Sequence, residues 1–277
     1  MKYDAWRRSK RIQEEFKTTL YQLTDLFQKI ATAAGEDKEK YVRDMNEFQS
    51  SEQYTNFVYS AVKRMVTPLA ANNYSTWRRA AKKANRSPYL YTLLMRELNT
   101  GIEMDINQQI EENADLIKTL PNDTAHKVVK DIEEMAFKGM RASDIAKIIQ
   151  DKTKQHARAS ARLIARTEVS KTTTALTKAR CNNLDIHWYV WRTAEDGNRV
   201  RKSHRVMNGV LVNWNDPPSP EKLAGEKDVG NYHAGNIWNC RCYPEPLLEI
   251  DDVRWPHKVY WGGQIKTMTK GEFEQLL

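Results

Sequence analysis

Trp188-Tyr-Val-Trp-Arg-Thr-Ala-Glu-Asp-Gly-Asn-Arg-Val-Arg-Lys-Ser-His204, followed by Asn208-Gly209 and closing on Asn239-Cys-Arg-Cys242, is the stretch on which the reading of this chain turns. His187-Trp-Tyr-Val-Trp-Arg192 alternates and is rich in aromatic and β-branched side chains, which predicts a strand. Glu195-Asp-Gly-Asn198 follows as a turn, because Gly and Asn accept positive φ at little cost. Asn208-Gly209 sits between apolar pairs, Val206-Met207 and Val210-Leu211, a spacing that predicts a two-residue hairpin turn. Between the turns, Arg199, Arg201, Ser203, His204 and Arg205 crowd into seven residues and predict a polar site carried on a small sheet.

Working outward, Ala157 to Arg180 reads as one basic, alanine-rich helix on which Arg158, Arg162 and Arg166 step by four. Its Arg166-Thr167-Glu168, then Arg192 and Asp196, Arg199, Arg201 and His204, Asn208-Gly209, and Asn239-Cys240-Arg241-Cys242 occur in an ordered series. This combination resembles the phage Mu F-type head morphogenesis family, the minor head proteins of tailed phages. The resemblance covers roughly Ala159 to Pro246, and no comparable motif precedes it. It implies a minor head protein that assembles at the portal vertex in the host bacterial cytoplasm and is retained in the virion. The portal protein would be its partner, with scaffold or major capsid protein and packaged DNA as further contacts. The motif residues would then be structural or interaction residues, with no catalytic set among them.

Composition agrees with a protein of this kind. The 277 residues carry 29% charged and 40% hydrophobic side chains, values of a soluble globular chain rather than a disordered one. No apolar run approaches the roughly 20 residues that span a bilayer, and the N-terminus lacks the apolar core of a signal peptide, so no membrane anchor is expected. Cys181, Cys240 and Cys242 are too few for a disulfide framework, which makes reduced thiols the expectation. The net charge of +8 is uneven: 24 basic against 21 acidic residues over 1–150, 13 against 5 over 151–205, and 7 against 10 over 206–277. The excess therefore lies on the basic helix and the first strands, where it suits nucleic acid or an acidic partner.

Before this region the periodicity is helical throughout. Ile12, Phe16, Leu20, Leu23, Phe27 and Ile30 make one stripe ending near Gly35. A second helix is predicted over Lys38 to Met65, broken at Thr67-Pro68. These two stripes are expected to pack on each other or on a partner, with core preferred over a coiled-coil arm. They hold more apolar surface than two helices need for each other, and helix-in-groove docking on a portal would use the surplus. Arg78, Arg79, Lys82, Lys83 and Arg86 then share a helix with Tyr74 and Trp77, a pattern that either grips phosphates or is a solvated face; the second is preferred. Further helices are predicted from Ser87-Pro88 to Gly101, from Met104 to Pro121, from about Val128 to Gly139, and briefly from Ser143. A long irregular loop is expected from Trp214 through Asn239. Asp251-Asp-Val-Arg-Trp-Pro256 and Tyr260-Trp-Gly-Gly263 are expected to form a second connector, which leads to Thr269-Lys-Gly-Glu272, a capping box for a terminal helix. The expected fold class is α+β. A helical domain or arm over 1–155 precedes a small mixed domain with an antiparallel hairpin sheet over 156–250, and 251–277 forms an extension.

Two kinds of chemistry fit the central stretch. His204, Cys240 and Cys242, with His187 or His233 as a fourth ligand, have the donor types of a zinc site. Two buried cysteines and a hydrogen-bonded histidine explain the same residues without metal, and that reading is preferred. Alternatively, His204 as general base with Arg201 and Asp196 would make a metal-dependent nuclease or toxin-like enzyme. A third reading is a plain non-specific DNA-binding protein. Short Arg/His/Asp networks also hold turns together, and Arg166 is expected to pair with a carboxylate such as Asp196. The non-enzymatic head protein is the preferred reading.

Overall fold

The computed structural model describes residues 6–83, 88–100, 102–137, 144–195 and 197–277. Arg86, Ser87, Gly101, Gly139, Ser143 and Asp196 lie outside the described residues, and Lys83 enters only through its place in a helix. The fold is α+β: a series of helices followed by a five-stranded mixed sheet. Among the described residues no strand precedes Trp188. Nor is any helix there long and apolar enough to cross a membrane.

Packing divides the chain into two compact units, Lys10–Pro68 with Asn107–Glu168, and Met1–Ser9 with Leu69–Ile106 and Val169–Leu277. This differs from a linear cut at residue 155, which falls inside the 39-residue helix α7 (Ile145–Asn183). A separate short helix near 145–149 was expected. Instead 150–156 contain no Gly or Pro, so nothing in the backbone interrupts one continuous helix.

The first unit is helical. Helix α1 (Lys10–Ala34) buries Ile12, Phe16, Leu20, Leu23 and Phe27 along one stripe and stops at Gly35, whose φ of +60° suits the left-handed cap. Helix α2 (Lys38–Gln49) starts on Asp37, whose carboxylate accepts from the Lys40 amide at 2.8 Å. The helix predicted over 38–65 is two helices. Ser51 Oγ accepts from the Tyr54 amide at 3.1 Å and opens α3 (Glu52–Lys83). Pro68, expected to end the helix, lies inside α3. A proline there forfeits one backbone hydrogen bond, which a long helix with Val62, Met65 and Val66 buried just before it tolerates. Helices α5 (Glu103–Lys118) and α6 (Leu120–Phe137) complete the unit. Pro121 sits in the first turn of α6 instead of after a terminus, where its missing N–H costs nothing.

Much of the apolar surface of the two stripes is buried inside this unit, while Ile30, Val42 and Phe57 are only partly buried. Tyr54, Val58, Ala61 and Met65 are buried, the Tyr54 hydroxyl donates to the Ile117 carbonyl at 2.6 Å, and the Tyr41 hydroxyl bonds Thr153 at 2.7 Å. Each such buried side chain stabilises by about 1.5–3 kcal/mol, so these residues are core.

In the second unit the sheet runs β3-β1-β2-β4-β5. Strand β1 (Trp188–Arg192) pairs antiparallel with β2 (Leu211–Asn213) and with β3 (Tyr243–Pro246); β2 lies parallel to β4 (His257–Trp261), and β4 pairs antiparallel with β5 (Gln264–Met268). The alternation read from the sequence sorts β1 onto two faces. Tyr189 and Trp191 join Val212, Tyr260, Trp214 and Cys181 in the main core, while Trp188 and Val190 join Leu211, Val259, Met268 and Phe273 on the other face. Tyr260-Trp-Gly-Gly263, expected to be a connector, is strand and hairpin turn, with Gly262 and Gly263 at φ +61° and +78°. The capping box holds as predicted: Thr269 and Glu272 bond each other's backbone amides and open α10 (Lys270–Glu274), which seats Phe273 against the sheet.

Asn208-Gly209 is not a hairpin turn. Residues between β1 and β2 form a short helix, α8 (Lys202–Met207), and Asn208-Gly209 ends it, with Gly209 at φ +82°. The Gly209 amide donates to the Trp191 carbonyl and the Trp191 amide to the Val210 carbonyl, both at 2.8 Å, so the pair returns the chain to β1. A helix stop and a hairpin turn both demand positive φ, and only the tertiary setting separates them.

Candidate functional site

The polar stretch thus sits on α8 and the loop leading into it, not on a strand, and this decides what its side chains reach. Ser203 and His204 both turn inward and are buried. His204 Nδ1 lies 3.5 Å from Cys240 Sγ and 3.3 Å from Cys242 Sγ, and the Cys242 amide approaches Cys240 Sγ at 3.4 Å. The cysteines come from an irregular segment just before β3, where Asn239 takes φ +59° and turns the chain so that both thiols face one point.

The far side of the imidazole is equally defined. His204 Nε2 is 3.0 Å from the Tyr232 hydroxyl, which donates to both carboxylate oxygens of Glu221 at 2.7 and 2.8 Å; the Ser203 hydroxyl also donates to Glu221 at 3.1 Å. Burial, reinforced by the Glu221 carboxylate, pushes the Tyr232 hydroxyl up, so it keeps its proton and spends it on Glu221. Its oxygen then accepts from His204 Nε2–H, which leaves Nδ1 as a lone pair aimed at the two sulfurs. The thiols divide accordingly. A hydrogen bond from Cys242 holds Cys240 well below the usual thiol range, whereas the same bond and burial hold Cys242 well above it. Glu221 and Tyr232, which complete this array, are absent from the expectations above. Glu221 opens the four-residue helix α9 (Pro220–Leu223), and Ser219-Pro220 is its only local signal.

Other motif residues surround the cluster or stand away from it. Arg192 pairs with Glu245 of β3. The Asn208 side-chain oxygen accepts from the Thr193 amide at 3.0 Å, closing the end of α8 onto β1. Arg201 donates to the Trp238 carbonyl at 2.9 Å and lies over its indole at 5.9 Å, and Arg241 donates to the Arg199 carbonyl at 2.9 Å. Trp238 is exposed beside them, giving an arginine-rich, aromatic surface over the buried cluster. Arg166, Thr167 and Glu168 lie on α7 in the helical unit, with Thr167 and Glu168 buried. The pairing expected for Arg166 involves Asp196, outside the described residues.

Neither expected fourth metal ligand joins. His187 is exposed, and His233 is held by the Tyr189 hydroxyl at 3.2 Å and Lys178 at 3.4 Å. Among the described residues only His204, Cys240 and Cys242 group as metal donors, their ligand atoms within 4.8 Å of one another. The basic helix face is also thinner than its charge count. Arg180 is buried against Glu97 at 2.7 Å, Lys152 pairs with Asp131 at 3.3 Å, and Arg158 with Asp25 at 3.7 Å. On α3, Trp77 is fully buried against Trp6, so it offers no stacking surface, whereas Arg78, Arg79 and Lys82 are exposed.

Fold and cluster together define the class: an α+β protein with a sealed thiol–imidazole cluster at the heart of a small mixed sheet. Residues 126–244, which take in all of α7, β1, β2 and the whole cluster, match the model of the family described as Phage Mu protein F like protein. The chain is also similar to an uncharacterized protein of Haemophilus influenzae, 31% identical over 152 residues, 55% of this chain and 31% of that protein. The match thus spans about a third of that relative's length. No solved structure matches the chain.

Proposed function

We propose that the protein is a minor head protein of a tailed phage, acting in head morphogenesis at the portal vertex and retained in the virion beside packaged DNA. The observation that carries this reading is the family match over residues 126–244, a range that includes the His204, Cys240 and Cys242 cluster. The portal protein is the proposed partner, ahead of scaffold or major capsid protein. A non-enzymatic role is supported by the position of His204: 3% exposed, with one nitrogen engaged by Tyr232 and the other by two sulfurs, it has no free face for substrate.

The test is a mass-spectrometric inventory of purified procapsids and virions, together with capture of portal by the tagged full-length chain. The expected result is a few copies in both particles and portal in the captured fraction. A chain absent from both particles that leaves portal behind overturns the proposal.

A further inference from the structure

We propose that His204 Nδ1, Cys240 Sγ and Cys242 Sγ bind one zinc ion, which staples α8 to the segment entering β3. The inference rests on side-chain geometry and stands apart from the head-protein reading. Zinc–sulfur bonds of about 2.3 Å and a zinc–nitrogen bond of about 2.0 Å, at a tetrahedral angle, set sulfur and nitrogen about 3.5 Å apart. The two separations here are 3.5 and 3.3 Å. Two edges of a zinc tetrahedron are thus already in place, and the three donor atoms all lie within 4.8 Å of one another.

A second observation points to the same ligand. A metal-bound histidine needs its other nitrogen tied to an acceptor, which fixes the tautomer and aims the ring. Tyr232 and Glu221 form that tie, and the carboxylate is itself held by Ser203. A metal-free core has no need of a buried carboxylate spent on orienting one imidazole, since burying it costs several kcal/mol in order of magnitude unless it is well satisfied. Two thiolates and one imidazole select zinc over magnesium or calcium, which require oxygen donors. The fourth position falls to a non-protein ligand. The staple also has a mechanical purpose, because most of the 35 residues between His204 and Cys240 form no regular secondary structure, and a metal cross-link holds the two ends where packing alone is sparse.

The experiment uses the full chain purified without chelator. Zinc is measured by elemental analysis, and cobalt(II) is exchanged in to read the thiolate-to-metal charge-transfer band. About one equivalent of zinc, a cobalt–thiolate band, and loss of both in Cys242→Ser are expected. Tyr232→Phe keeps the ring packing but removes the orienting hydroxyl, and it should weaken zinc affinity by about 10–100-fold while the protein stays folded. Protein that holds no zinc and gives no cobalt–thiolate band overturns the proposal. So does a Cys240–Cys242 disulfide in the intact mass, or full zinc retention in Cys242→Ser.

Discussion

The Arg180 guanidinium lies 2.7 Å from the Glu97 carboxylate, the two side chains 4% and 3% exposed, so α7 and α4 (Pro88–Thr100) are joined through a buried ion pair. Arg180 Nε also donates to the Asn73 side-chain oxygen at 2.8 Å, and Asn73 donates to Thr177 at 3.2 Å. Desolvation makes the pair a weak net stabiliser but an expensive one to halve. Glu97→Ala should therefore cost about 3–5 kcal/mol in urea unfolding. Glu97→Leu combined with Arg180→Met should recover most of that loss. A single substitution costing under about 1 kcal/mol would mean the pair is solvated.

Gly235 sits where only glycine fits. Its φ is +85°, and a Cβ built there would lie 2.6 Å from Thr174 Oγ1 and 2.9 Å from the Cys242 carbonyl oxygen. Thr174 cannot swing away without losing its bond to the Ala234 carbonyl at 2.8 Å. Gly235→Ala should destabilise by about 2–4 kcal/mol from strain and overpacking together. Gly225→Ala shares the positive φ but meets nothing within 4 Å, so it should cost clearly less; thermal melts of the two variants decide the matter.

His233 predicts an acid-sensitive stability. Burial, with the Lys178 ammonium beside it, lowers its pKa from 6.5 to about 4. The folded protein therefore refuses a proton that the unfolded chain accepts, and stability falls as pH drops from about 6.5 towards 4, by at most about 1.4 kcal/mol per pH unit. Below the folded pKa both states are protonated and this contribution flattens. Denaturation midpoints measured across that window should show a slope that His233→Gln reduces. An unchanged slope would exclude His233 as its source.

Binding to duplex DNA should be weak, without sequence preference, and steeply lost as salt rises. The exposed cations Arg78, Arg79 and Lys82 on α3, and Arg199, Lys202 and Arg205 around α8, release counterions but read no bases. A dissociation constant near or above about 1 µM at physiological salt is expected, and Arg205→Ala should lower the salt slope by about one. Titration of labelled duplex at several salt concentrations, with and without divalent metal, gives the answer. Tight sequence-selective retention, or metal-dependent cleavage abolished in a folded His204→Ala variant, would replace the head-protein reading with one of its rivals.

Much of this architecture is legible in the amino-acid sequence, because the signals that carry it act over a few residues. The α1 stripe with Gly35, the alternation of β1, the Thr269–Glu272 capping box and the ordered motif from Arg166 to Cys242 each declare themselves locally. What the tertiary structure alone decided are the places where one local signal serves two ends. Asn208-Gly209 stops a helix instead of turning a hairpin, Pro68 rides inside α3, and Gly262-Gly263 turns a strand pair that read as a connector. The His204–Cys240–Cys242 cluster was recognisable by residue type, but Tyr232 and Glu221 were not. Their roles arise from hydrogen bonds between residues 11 and 28 positions apart, closed only once the sheet and its core have packed. Periodicity and turn chemistry report what the backbone does nearby, whereas a buried polar array is specified by which distant donors and acceptors burial leaves facing one another.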